Sequence, residues 1–251
     1  MTFWQGVLVL FAGVWAGGIN TIVGSGTLVS FPVLLYVGLP PVTANISNAV
    51  GLFPGSFVGA YGYRRELAGQ ARRAALLSTA TIAGATTGAV LLLELPAGAF
   101  KAIVPVLIAL ALLLVIFGPK LTQALQHTRH AASRRVTPAL WTSTMFTGVY
   151  GGYFGAAQGV LQMGFLGLFL EEEIQRQNAL KNVLAGLVNF VSAVIFVATA
   201  ADIDWAAAGL IAAGSIAGGV LGARIGRRLS PRILRAVIVA VGVAALVKLL
   251  V

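Results

Sequence analysis

The chain has 251 residues, 58% of them hydrophobic and only 10% charged, with a mean hydropathy of +0.93. A soluble domain of this length carries roughly a quarter of its residues as charged ones, so composition excludes an ordinary water-soluble globule and points to an integral membrane protein. The formal charge of +10 would suggest nucleic acid in a soluble chain, but here the arginines stand in short loops between apolar spans, where they set topology.

A bilayer core about 30 Å thick is crossed by about 20 mostly apolar residues. Phe3 to Ile22 predicts a first helix; no basic stretch precedes it, so it reads as a retained part of the fold and not a signal peptide. A Gly/Ser-rich break, Val23-Gly24-Ser25-Gly26, leads into a short apolar piece, Thr27 to Val37, ended by Leu39-Pro40-Pro41. Ala44 to Tyr63 is the next helix, with Pro54 predicted to kink it. A basic loop from Arg64 to Arg73 follows, then helices over Ala74–Leu93 and Lys101–Phe117 joined by a Glu94-Leu95-Pro96 turn. The longest polar stretch, Lys120 to Pro138, holds His127 and His130, which read as solvated. Beyond it come Leu140 to Ala157, a shorter piece over Leu161–Leu170, a charge run at Glu171-Glu172-Glu173, and helices over Gln177–Ala200, Trp205–Ala223 and Ile233–Val251.

The second half repeats the first. Gly13 to Gly17 aligns with Gly148 to Gly152. Ala44-Asn45-Ile46-Ser47-Asn48 aligns with Asn178-Ala179-Leu180-Lys181-Asn182, Ile82-Ala83-Gly84 with Ile216-Ala217-Gly218, and Gly88-Ala89 with Gly222-Ala223; these three pairings share one spacing. Equivalent loops carry opposite charge bias: Arg64, Arg65, Arg72 and Arg73 in one half correspond to Asp202 and Asp204 in the other, and the Glu94 turn corresponds to Arg224, Arg227, Arg228 and Arg232. By the positive-inside rule the repeats are inverted. The expected fold is therefore all-α, two inverted repeats, each a broken helical hairpin plus three transmembrane helices, about 8–10 membrane segments in all. The expected divisions are residues 1–118, a cytoplasmic linker at 119–139, and residues 140–251, with both termini outside. The hairpins are expected to fold back at Gly24-Ser25-Gly26 and near Gln158-Gly159.

Backbone freed at a break inside a membrane is tolerated only where protein buries it or a wet cavity receives it. Paired breaks in inverted repeats point to a transport site whose helix N-termini suit anions. The candidate binding residues are Asn20, Thr21, Gly24, Ser25, Gly26 and Thr27 at the first break, with Gln158 and Gln162 at the second. Asn45 and Asn48 share one face of their helix, as do Asn178 and Asn182, with Asn189 further along it. Amides in a span either glue helices together or line a substrate path; Asn48 and Asn182 occupy equivalent places in the two halves. Lys181 reads either as a snorkelling helix-end lysine or as an anion attractor. The glycines Gly84, Gly88, Gly214, Gly218 and Gly222 have small-xxx-small spacing and read as helix contacts.

The chain has no cysteine, which excludes disulfides, thiolate metal sites and cysteine nucleophiles. No span interior holds Asp, Glu or His. Ser25 has no membrane histidine to act as its base, so an intramembrane protease is not expected. No enzyme activity, cofactor or metal is expected, and a buried carboxylate proton relay is disfavoured.

The Gly17-Gly18-Ile19-Asn20-Thr21-Ile22-Val23-Gly24-Ser25-Gly26-Thr27-Leu28 run and Asn45-Ile46-Ser47-Asn48, with Gly151-Gly152-Tyr153-Phe154-Gly155 and Asn178 to Asn182 in the second half, resemble the TauE/SafE family of sulfite and organosulfonate exporters. The resemblance covers about Gly6 to Val251. It implies transport of small sulfur-containing or related carbon-acid anions across a bacterial inner membrane. The leading expectation is an anion transporter working by alternating access; the alternatives are an anion channel and a non-transporting membrane subunit. Expected partners are a small anionic substrate and the lipid bilayer, with no nucleic acid; a homodimer is left open.

Overall fold

The computed structural model describes residues 1–126, 133, 135–199 and 201–225, with isolated positions at 236, 238–240 and 243. The expected last span at 233–251 falls outside the described residues apart from those positions, as do His127 and His130. Among the described residues the chain is all-α: α1 (Phe3–Ile22), α2 (Thr27–Tyr36), α3 (Pro41–Gly62), α4 (Ala71–Glu94), α5 (Ala97–Gln126), α6 (Pro138–Tyr153), α7 (Gln158–Phe169), α8 (Ile174–Ala198) and α9 (Trp205–Ile225). Five segments, in α1, α4, α5, α8 and α9, are long and apolar enough to cross a membrane. The helix α3 has the length, but Asn45, Ser47, Asn48 and Ser56 lower its hydropathy. The helix α5 runs for 30 residues, about 45 Å, and so carries helix well into the stretch read as a linker.

Two short helices set the architecture. At 1.5 Å per residue, α2 and α7 are about 15 and 18 Å long, half of a bilayer core. Each follows a longer helix that ends in the same way. The N–H groups of Val23 and Gly24 both donate to the Ile19 carbonyl, at 2.7 and 3.0 Å, and those of Phe154 and Gly155 both donate to the Tyr150 carbonyl, at 2.9 and 3.1 Å. Gly24 (φ +83°) and Gly155 (φ +77°) take the left-handed conformation this stop requires. The second chain reversal thus lies at Phe154–Ala157, a few residues before the expected Gln158-Gly159.

Glycine seams fix which helices touch. The helices α1 and α9 run side by side: a Cβ on Gly214 would fall 2.3 Å from the Leu10 carbonyl oxygen, and one on Gly218 would fall 2.0 Å from that of Val14. The pair α4 and α6 is built alike, with Gly84 against Met145 and Gly88 against Val149 at 2.2 and 2.1 Å. These are the small-xxx-small glycines of the sequence, and they allow backbone to meet backbone. The helix α3 adds Gly51 and Gly55 against Ile211 and Ser215 of α9.

These contacts place the hairpins. Gly6 lies by Leu210 near the start of α9, and Thr43 and Ser47 of α3 bond Asp202 and Asp204 just before it. The α1–α2 hairpin therefore begins and ends at one end of the bundle. At the other end, Trp141 near the start of α6 bonds Thr79 of α4, and Gln177 of α8 bonds the Leu170 carbonyl after α7. The α6–α7 hairpin begins and ends there. The two tips meet inside, where the Gly159 N–H donates to the Gly24 carbonyl at 2.8 Å. Phe31 and Phe100 pack edge-on against Phe154 beside them.

Candidate functional site

The end of α1 leaves carbonyls without helical partners, and α8 supplies donors to them. Lys181 Nζ donates to the carbonyls of Asn20 and Thr21 at 3.1 and 3.3 Å, and Asn178 Nδ2 donates to that of Thr21 at 3.5 Å. Lys181 is fully buried, about 10 Å along α8 from Ile174; it does not snorkel. The end of α6 is served in the same way by α3, where Asn45 Nδ2 donates to the Tyr153 carbonyl at 2.9 Å. Each broken helix is thus capped by a long helix from the other half of the chain.

Around the tips, Asn48 Nδ2 donates to Thr27 Oγ1 at 3.3 Å. Asn20 Nδ2 donates to Ser56 Oγ at 3.1 Å, and Asn189 reaches the same hydroxyl at 3.2 Å. Gly26 starts α2 so close to α1 that a Cβ there would fall 2.3 Å from the Ala16 carbonyl oxygen. Neither α2 nor α7 has a side-chain cap; their first N–H groups turn back on the breaks instead, Leu28 and Val29 donating to the Ser25 and Gly26 carbonyls, Gln158 and Val160 to those of Gly155 and Ala157, and Gly159 across to Gly24. Ala157, before α7, is the one non-glycine residue with positive φ among the described residues, at 57°; such conformations persist where surroundings enforce them.

Four buried polar atoms near these breaks have no protein partner among the described residues: Ser25 Oγ, Asn48 Oδ1, Asn178 Oδ1 and Asn182 Nδ2. Buried polar groups are almost always bonded, so these four atoms are the unmet hydrogen-bonding capacity of the break region. The fold brings together Asn20, Thr21, Asn178 and Lys181 on one side of the tips, Thr27 and Asn48 on the other, and Gly24 with Gly159 and the adjoining Gln158 between them. Gln162 is turned away: it accepts from Thr147 Oγ1 at 2.7 Å and donates to Thr144 Oγ1 at 3.3 Å, as glue between α6 and α7. Ser56 and Gly155 join the site without having been singled out in the sequence. Ser56 was findable, since it lies two turns beyond Asn48 on the same helical face.

Each end of the bundle also has a polar closure. Glu172 sits between two arginines, Arg73 Nη1 on Oε2 and Arg176 Nε on Oε1, both at 2.8 Å. Gln70 and Arg176 tie the same loops through backbone carbonyls. At the opposite end, Thr43 Oγ1 donates to Asp202 Oδ2 at 2.6 Å, and the Asp204 N–H donates to Ser47 Oγ at 2.9 Å. Burial pushes the Glu172 carboxyl up, but hydrogen bonds and charge from the two arginines outweigh it and hold the group below its ordinary 4.5. A carboxyl lowered in the folded state contributes stability above its unfolded pKa, which is lost as pH falls through the folded value. The melting temperature is therefore expected to fall more steeply below about pH 4.5 for the native protein than for Glu172→Gln. Parallel curves would remove Glu172 from the closure.

The family model for the sulfite exporter TauE/SafE matches residues 9–249. The chain belongs to the TauE/SafE family. A relative from Sinorhizobium sp, described as "Probable membrane transporter protein ORF9", is 34% identical over 160 residues, covering 61% of this chain and 58% of that protein. A "Probable membrane transporter protein" of Haemophilus influenzae is 26% identical over 206 residues, covering 81% of this chain and 78% of its own length. "Probable membrane transporter protein YfcA" of Escherichia coli K12 is 28% identical over 154 residues, covering 61% of this chain and 55% of its own length. The chain thus spans just over half the length of two of these relatives in the matched region. No solved structure matches.

Proposed function

We propose that this TauE/SafE protein transports a small anion, of the sulfite or organosulfonate type, across the inner membrane by alternating access. The observation that carries the reading is the meeting of two broken hairpins from opposite ends of the bundle, Gly24 against Gly159, with unpartnered buried polar atoms around them. The N-termini of α2 and α7 at this junction offset the carbonyl ends of α1 and α6, so the helix dipoles do not repel an anion there. The sulfur chemistry comes from the family's description. Export needs no carboxylate relay, because an inside-negative potential drives each anionic charge outward with about 2.3 kcal/mol per 100 mV.

The inverted repeat at 1–118 and 140–251 is part of the same proposal. It is supported by the matched helix stops, by the seams pairing α1 with α9 and α4 with α6, and by the reciprocal caps from α8 and α3. The end holding Arg64, Arg65, Arg72, Arg73, Arg135 and Arg176 is proposed as cytoplasmic. The backbone bridge of Ser133 to the loop after α7 supports a cytoplasmic linker at 119–139; α1 starts at the opposite end, beside Leu210, and both termini are proposed outside.

Substituting leucine for Asn48 or Asn182 is expected to abolish saturable anion flux in liposomes while leaving the melting temperature within a few degrees of native. Normal transport in both variants would overturn this site. A thermal-shift panel of sulfite, thiosulfate, sulfoacetate, taurine, acetate and chloride names the substrate, since a ligand at 100 times its Kd stabilises the fold by about 2.7 kcal/mol. Large single-channel currents instead of slow saturable flux would favour a pore.

A further inference from the structure

Lys181 is buried without an acid. The seven acidic side chains of the sequence are Glu66, Glu94, Glu171, Glu172, Glu173, Asp202 and Asp204, and each stands in a loop or at a helix end. None pairs with Lys181 among the described residues. Its bonds go to two neutral carbonyls, Asn20 and Thr21, so at least one of the three N–H donors of the ammonium is left over.

Capping a broken helix does not require charge. The other half of the molecule does the same task at Tyr153 with a neutral amide, Asn45. A lysine in place of an amide adds a cation to the membrane interior, which is costly and is found where function uses it. The helix ends do not absorb it. Two C-termini, of α1 and α6, and two N-termini, of α2 and α7, converge on the breaks. Each carries roughly half a charge, two of each sign, and the four cancel. What remains, with Lys181 protonated, is a single positive charge.

We infer that Lys181 is the counter-charge of the bound substrate and that the site selects anions carrying one negative charge. This rests on the reading of the hairpin tips as an anion site. A singly charged sulfonate or hydrogen-bearing oxyanion leaves the loaded site neutral. A divalent oxyanion leaves a buried excess of negative charge, and a zwitterion or neutral solute leaves the lysine unpaired.

The test measures saturable binding by the purified protein of methanesulfonate, sulfate and taurine, which are a monoanion, a dianion and a zwitterion. The native protein is expected to favour methanesulfonate over both others by at least about tenfold, the scale of one charge-assisted hydrogen bond. Lys181→Gln keeps a donor for the α1 carbonyls and is expected to lose that preference together with about tenfold or more in methanesulfonate affinity, while Lys181→Arg keeps the preference. Sulfate or taurine bound as tightly as methanesulfonate by the native protein would overturn the inference, whether or not the variants fold. Unchanged methanesulfonate affinity in Lys181→Gln would do the same. A native protein that binds and moves no anion at all overturns the proposed function itself, and this inference with it.

Discussion

Alanine at Gly24 or Gly159 is expected to stop transport and lower the melting temperature. A Cβ at Gly159 would stand 2.4 Å from Gly24 Cα, and one at Gly24 would stand equally close to Gly159 Cα. Both neighbours are backbone at the tips of hairpins held at either end, so neither yields as a flexible side chain would. Overpacking of this kind costs about 1–3 kcal/mol. Gly24→Ala adds roughly 1–3 kcal/mol for its left-handed φ, so it is expected to be the worse of the two. Melting curves and liposome flux measure both effects. Native flux in either variant would show that the tips need not touch for the protein to work.

Locking the arginine-rich end is expected to abolish flux reversibly. The Glu172 closure joins the start of α4 to the start of α8, elements on opposite sides of the chain's midpoint, and alternating access requires it to open. With no native cysteine, Arg73→Cys combined with Glu172→Cys provides two unique thiols. Bridging them with a short bis-methanethiosulfonate reagent is expected to stop transport, and reduction is expected to restore it. The unbridged double variant removes the ion pairs without touching the tips, and its flux is expected to persist. Undiminished flux through the bridged protein would mean that this end does not gate the path.

Much of this arrangement was legible because membranes exaggerate local rules. Gly24-Ser25-Gly26 within an apolar run signals a stop, and the spaced glycines of α4 and α9 mark close helix contacts in any bilayer. The second turn was read a few residues late. Gly155 sits among Phe154, Ala156 and Ala157, an apolar setting with no serine or asparagine to advertise a reversal, and the left-handed Ala157 has no signature at all. The length of α5 was missed for a different reason: hydropathy marks where a helix leaves the membrane, not where it ends, and the helix continues through Pro119 to Gln126. Glu171-Glu172-Glu173 reads as a loop charge run because nothing nearby predicts Arg73, which reaches Glu172 from the first half. Lys181 is the same case. Its partners lie on α1, in the other half of the chain, so sequence showed a lysine beside Asn182 and not a cap on a distant helix.

The pairing of α1 with α9 has a consequence for synthesis. The helix α1 packs its glycine face on a helix that begins roughly 180 residues after α1 ends, and its terminal carbonyls wait for Lys181. At about 5–20 residues per second, α1 leaves the ribosome about 10–40 s before its partner exists. During that interval its Gly13 and Gly17 face and the open end at Ile22 must be sheltered by the insertion machinery or by lipid, so the α1–α2 hairpin depends on help while the rest of the chain is being made.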